Sequence, residues 1–147
     1  MAWYKQGEKF WAYLAGFIDG DGTIAITNCK RYGERAGETY LQPTVQFSNT
    51  DESVHIYLKK MLKNYNYYKQ TSNHKVWKDR YHGRITRTAY VERILKGILP
   101  YLVIKEDQAT AVLDFIQRRK SEKYHGYSDE VWSIYEEVRE LNKRGKI

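Results

Sequence analysis

Two carboxylates, Asp19 and Asp21, stand one residue apart where a helical pattern stops and a strand pattern begins. They lie in the run Leu14-Ala15-Gly16-Phe17-Ile18-Asp19-Gly20-Asp21-Gly22. Carboxylate oxygens are the hard ligands that Mg²⁺ and Ca²⁺ prefer. Their position is costly, because a helix ends in the negative pole of its dipole and an acid there needs a positive offset. Upstream, Phe10, Leu14, Phe17 and Ile18 recur at helical spacing. Ala12, Gly16 and Gly20 form a second stripe at i, i+4 and i+8. Three small residues on one face leave room for another backbone to come very close. A helix with such a face and carboxylates at its tail suggests a seam between two copies, with a metal site at one end.

Other chemistry fits less well. Asp-Gly-Asp-Gly in isolation is a tight turn, since Gly supplies positive φ and Asp bonds its own backbone. A calcium loop would need Glu at its twelfth position; counted from Asp19, that position is Lys30. Gly16-x-x-x-Gly20 could pair helices in a membrane, but Glu8, Lys9, Asp19 and Asp21 flank or enter the segment. His55, His74, His82 and His125 are scattered without ligand spacing and read as surface or strand residues. No glycine-rich phosphate loop followed by Lys-Ser/Thr is present.

The chain's 147 residues predict one domain, 1–147, large enough for a real core. Charged residues at 29% and hydrophobic ones at 41% describe a globular rather than a disordered chain. The net charge of +7 asks for a polyanionic partner, nucleic acid before anionic membrane. No signal peptide or membrane span is visible. A single cysteine, Cys29, excludes an internal disulfide and fits a reducing compartment, hence an intracellular protein. The 14 Tyr and four Trp can fill a core, line a seam or touch DNA.

Periodicity places a first helix at about 8–20 and strands at 23–30 and 40–48, joined by a hairpin turn at 32–38. Pro43 argues for an edge or a bulge in the second strand. A helix follows from the cap at Asn49-Thr50-Asp51-Glu52 to about 63. A third strand is predicted within 69–81, whole or in two pieces, and a fourth at 83–89. Helices then run over 90–98, ending before Pro100, over 106–120, and from the cap Ser128 to about 142. The strands form a basic surface. Lys30, Arg31, Arg35, Lys69, Lys75, Lys78, Arg80, Arg84 and Arg87 fall on strands or turns, and Asn28, Gln42, Gln46, Gln70, Thr71 and Asn73 lie among them. Within 69–87 the only acid is Asp79, a one-sidedness that a merely solvated face does not need. Arg and Lys pair with guanine and phosphate, and Gln and Asn with adenine, so these residues are candidates for DNA binding.

The run 14–22 resembles the signature of the LAGLIDADG homing endonucleases over nine positions, departing mildly at Phe17 and Gly20. The resemblance implies an α+β fold in the order α-β-β-α-β-β-α, with an antiparallel DNA-binding sheet. It implies a site-specific, Mg²⁺-dependent, double-strand DNA endonuclease, mobile with an intron or intein, in a prokaryotic cytoplasm or an organelle. Asp21 takes the place of the metal-binding acid and Gly20 that of the carbonyl ligand; Asp19 matches an acid that is more often structural. Asn49 stands where a polar residue orders water, and Lys105, in Pro100-Tyr101-Leu102-Val103-Ile104-Lys105, where a lysine enters the active site. The resemblance also implies a basic residue near Ser53, which is not assigned to a position. With one copy of the motif, the chain is expected to act as a C2 homodimer through Ala12, Gly16, Phe17, Asp19 and Gly20. A strand of ten residues spans about 33 Å, close to one turn of DNA, so a dimer would read a long, roughly palindromic target. An RNA maturase or a non-cleaving DNA-binding protein of the same fold is the alternative. Asp21 and Lys105 favour the enzyme, since a pure binder has no need of a carboxylate facing phosphate. A membrane-surface protein is disfavoured by basic residues borne on strands.

Overall fold

The computed structural model describes residues 6–30, 38–71, 73, 75, 78–122 and 126–143. Helix α1 (Glu8–Asp21) runs directly into strand β1 (Gly22–Lys30), and β2 (Thr39–Asn49) returns beside it. Then come α2 (Glu52–Met61), β3 (Asn66–Gln70), β4 (Arg80–Ile85), α3 (Thr88–Ile98), a 3₁₀ turn at Leu99–Tyr101, α4 (Glu106–Ser121) and α5 (Asp129–Lys143). The four strands form one antiparallel sheet in the order β1-β2-β4-β3. The α+β class and the element order agree with the sequence reading.

The junction between α1 and β1 explains the last glycine of the signature. A Cβ on Gly22 would sit 2.8 Å from the Ile18 Cα and 3.2 Å from the Gln46 carbonyl oxygen. Only glycine lets the helix turn into the sheet there while β2 lies alongside. The inner side of α1 buries Phe10, Trp11, Leu14, Ala15 and Ile18. They meet Ile24, Ile26, Val45, Phe47 and Ile85 from the sheet and apolar residues of α3, α4 and α5 in one core. Trp11 lies so close to α3 that a Cβ on Gly97 would be 2.6 Å from its ring.

Local chemistry sets the element ends. Asp51 caps α2 by accepting from the Ser53 backbone N–H at 2.9 Å, and Ser128 caps α5 by accepting from Val131 at 3.3 Å. Pro43 pairs with Ile26 of β1, but β4 reaches only as far back as Val45, so β2 is an edge where the proline falls. The β1–β2 register is continuous, with no bulge. At the outer edge of β1, the Asn142 side-chain amide of α5 donates to the Ile24 carbonyl at 3.0 Å.

Three expectations change. The third strand is β3, ending at Gln70, and the stretch through Lys75 and Lys78 is a connection, closed by a Lys69–Asp79 ion pair at 3.4 Å. The fourth strand stops at Ile85, because Val91, Ile94, Leu95 and Ile98 set a helical spacing that begins at Thr88, with Arg87 as the residue before it. His55 is not a surface residue. It is fully buried, its Nδ1 is 2.6 Å from the Tyr65 hydroxyl, and its Nε2 has no hydrogen-bond partner among the described residues. The hairpin turn expected at 32–38, with Arg31 and Arg35, lies almost wholly outside the described residues.

Candidate active site

Asp21 is the last residue of α1 and is exposed. Asn49 is the last residue of β2, and its Nδ2 donates to Asp21 Oδ2 at 2.9 Å. Its Oδ1 accepts from the Asp51 backbone N–H at 2.7 Å. A side-chain amide has one acceptor oxygen and one donor nitrogen, so the second bond fixes which end faces Asp21. Asn49 therefore orients the carboxylate. Both residues line an open cleft of about 520 Å³ with Tyr13, Phe17, Asp51, Ser53, Val54 and Tyr57. Ser53 donates to Asp51 through its hydroxyl and its backbone N–H, which holds the Asp51 carboxyl below the usual carboxylate range. The place where a basic residue was sought thus carries an acid and its serine partner.

Lys105 precedes α4. Its Nζ donates to the carbonyls of Ile18, at 3.0 Å, and Asp19, at 2.8 Å, in the last turn of α1. This ammonium is the positive offset that the negative helix end requires. Asp19 answers in the other direction: its carboxylate accepts the backbone N–H groups of Val103, Ile104 and Lys105 at 2.8, 3.1 and 3.0 Å. Asp19, expected in the seam between copies, is thus turned onto its own chain. Phe17 likewise turns inward and stacks on Phe47 at 5.1 Å between ring centroids. Ala12, Gly16 and Gly20 are exposed, and a Cβ on either glycine would meet nothing within 4 Å.

The register sorts the proposed DNA-binding residues. Side chains alternate between the two faces of a sheet. The outer face carries the rows Thr27–Gln42, Ala25–Thr44, Thr23–Gln46–Arg84–Asn66, Ser48–His82–Tyr68 and Arg80–Gln70. Gln42, Gln46, Gln70, Arg80 and Arg84 are on it. Asn28, Lys30 and Lys69 are not: they share the parity of Ile24, Ile26 and Tyr67, the core side. Asn28 instead lines a groove of about 420 Å³ beside Arg139 and Lys143 of α5. Thr71, Asn73, Lys75 and Lys78 are exposed in the β3–β4 connection, and the Arg87 guanidinium lies over the Tyr90 ring. The same face carries Thr23, Thr27, Ser48, Asn66, Tyr68 and His82, which are outside the residues expected from the sequence, and a buried Thr44 that accepts from Gln46 Nε2 at 3.2 Å. Strict alternation from Gln46 and Arg84 would have found most of them. Burial and the neighbouring Arg84 charge push the His82 pKa down, which favours its neutral ring on that face.

The Asp21 carboxylate offers the oxygen donors that suit Mg²⁺ or Ca²⁺. Among the described residues no three His, Cys, Asp or Glu side chains gather into a cage.

The chain belongs to the LAGLIDADG endonuclease family, whose sequence profile matches residues 14–117. It is accordingly an endonuclease of the homing type. No match is found among curated protein sequences. Among solved structures it is similar to the homing endonuclease I-CvuI in complex with its target in the presence of Ca. That match has 20% identity and a TM-score of 0.72, over 91% of this chain and 82% of the other. A second I-CvuI complex, with Mg and uncleaved DNA, aligns at 21% identity and TM-score 0.63 over 95% and 98% of the two chains. The group I intron-encoded I-CeuI bound to DNA aligns at 12% identity and TM-score 0.70, over 90% of this chain and 67% of that one. The meganuclease I-SmaMI bound to DNA aligns at 16% identity and TM-score 0.62, over 93% of this chain but only 44% of that one. At these identities the likeness is one of fold. Among the described residues no helix is long and apolar enough to cross a membrane.

Proposed function

We propose that the protein cuts both strands of a long, roughly palindromic DNA site as a C2 homodimer, with Mg²⁺ as the metal. The observation that carries this reading is the bare Ala12/Gly16/Gly20 face lying beside Asp21. Two copies joined along that face would bring two Asp21 carboxylates together, one for each strand. The half-length match to I-SmaMI supports the same arithmetic. Asp21 and the Gly20 carbonyl would hold Mg²⁺, which supplies charge neutralisation and an acidified water. Asn49 keeps the Asp21 carboxylate turned to the cleft, and Lys105 sets a fixed positive charge near the phosphate. The outer sheet face, with Gln46, Arg84, Gln70 and Arg80, would lie along the DNA, and a net charge of +7 would draw it there. A DNA substrate puts the enzyme inside a cell, in a prokaryotic cytoplasm or an organelle.

The test is cleavage of a plasmid carrying the gene's own intron-less insertion site. Linear product should form with Mg²⁺ and vanish with a chelator. Tight binding without a nick in either strand, in Mg²⁺ or Mn²⁺, would leave a binding protein in place of the enzyme.

A further inference from the structure

The tail of α1 and the loop before α4 are tied by five hydrogen bonds running both ways. Asp19 takes three consecutive backbone N–H groups from Val103, Ile104 and Lys105, and Lys105 Nζ returns two bonds to the Ile18 and Asp19 carbonyls. We propose that Asp19 is a positioning residue for the reaction. It sets the backbone from which Lys105 projects, and so holds the ammonium at the helix end that carries Asp21. The inference rests on the function proposed above, and goes beyond it by giving the first acid of the motif a task in the chemistry.

The geometry carries this in three steps. Lysine is a long, flexible side chain that a surface loop would leave free to wander. Here its own backbone N–H is bonded to the Asp19 carboxylate at 3.0 Å, and its Nζ to the Asp19 carbonyl at 2.8 Å. One residue thus grips both ends of Lys105. Val103 and Ile104 are 84% and 69% exposed, so their packing does little to hold the loop. The anchor is the carboxylate, whose bonds to backbone N–H groups are charge-assisted. Asparagine at position 19 keeps the shape but turns an N–H₂ donor toward three donors, so at least one bond must be lost.

The experiment is a double-mutant cycle with D19N, K105A and D19N/K105A, read as single-turnover cleavage of the same plasmid with Mg²⁺ and as DNA binding with Ca²⁺. D19N should slow cleavage by about 10- to 100-fold, the cost of misplacing a reacting group by about 1 Å, with DNA affinity little changed. In the K105A background the same substitution should cost almost nothing, because the group it positions is gone. Independent, multiplying losses in the two variants would mean that Asp19 merely stabilises the fold, and would overturn the proposal. So would D19N cutting at the wild-type rate. D19E, which restores the charge on a longer arm, should recover part of the rate. A separate measurement needs no substrate: in D19N the amides of residues 103–105 should exchange with solvent at least tenfold faster. Unchanged exchange there overturns the latch itself. A wild-type protein that leaves the plasmid uncut counts against the proposed function instead, and the exchange measurement still decides the latch.

Discussion

On one side of α1 stand Phe10, Trp11, Leu14, Ala15 and Ile18, all buried against the chain's own sheet and helices. On the other stand Ala12, Gly16 and Gly20, exposed, with open space around both glycines. The inner face earns its stability within one protomer. The outer face does the reverse, since glycine inside a helix is less favourable than alanine by about 1 kcal/mol. Within one chain that cost has no return; against a second backbone it does. The same helix is thus built for two different contacts, one already made and one offered. Asp21, at its tail, belongs to neither.

The sharpest separation comes from the residue that touches neither face. Asp21→Asn should lower cleavage on the order of 10³-fold or more while leaving folding and dimer formation intact and DNA affinity equal or better. Single-turnover rates beside a gel-shift titration check this; near wild-type cutting would remove Asp21 from the metal site. Next is the inner face. Leu14→Ala should destabilise the protomer by about 2–5 kcal/mol, lowering the denaturant midpoint whatever the oligomeric state. On the outer face, Gly16→Leu should leave the protomer folded, since a Cβ there has room, yet weaken the dimer by about 1–3 kcal/mol for each overpacked copy. Sedimentation over a concentration series distinguishes the two. A Gly16→Leu protein that dimerises like wild type, or a wild type that stays monomeric at micromolar concentration even on DNA, would dissolve the contrast between the faces.

The smallest expected effect lies away from the helix and serves as its control. Burial holds His55 neutral, with a pKa below its ordinary 6.5, and His82 shifts the same way. Groups harder to protonate folded than unfolded give their full contribution above about pH 6.5 and lose it as pH falls toward the lower folded values. Melting temperature should therefore drop between about pH 7 and pH 5, and His55→Phe should flatten part of that slope. Equal slopes in the two proteins would free His55 of the role.

Much of this was legible in the chain, for identifiable reasons. Gly22 at the helix–strand junction and the cap at Ser128 are local devices, and local devices are written in consecutive residues. So are the spacings of Leu14, Ile18 and the apolar residues of α3. What failed was non-local. Lys69 and Asn28 looked like members of a basic, polar face, but which side of the sheet they occupy depends on the β1–β2 and β3–β4 registers. His55 looked like one scattered polar residue because Tyr65, its partner, only arrives once β3 folds back. The backbone groups that Asp19 binds lie 84 to 86 positions later, beyond the reach of any local pattern. The signature located the acid; the fold decides what it faces.

The bond from Asn142 to the Ile24 carbonyl bears on handling rather than on catalysis. β1 is an outside strand, and the exposed backbone of an outside strand is a template on which another chain can pair. α5 lies along that border and occupies one of its acceptors. The last helix therefore acts as a guard against clumping in concentrated samples. Asn142→Ala frees that acceptor while Val131, Ile134 and Val138 keep α5 in the core, so light scattering of concentrated samples should rise with little change in melting temperature.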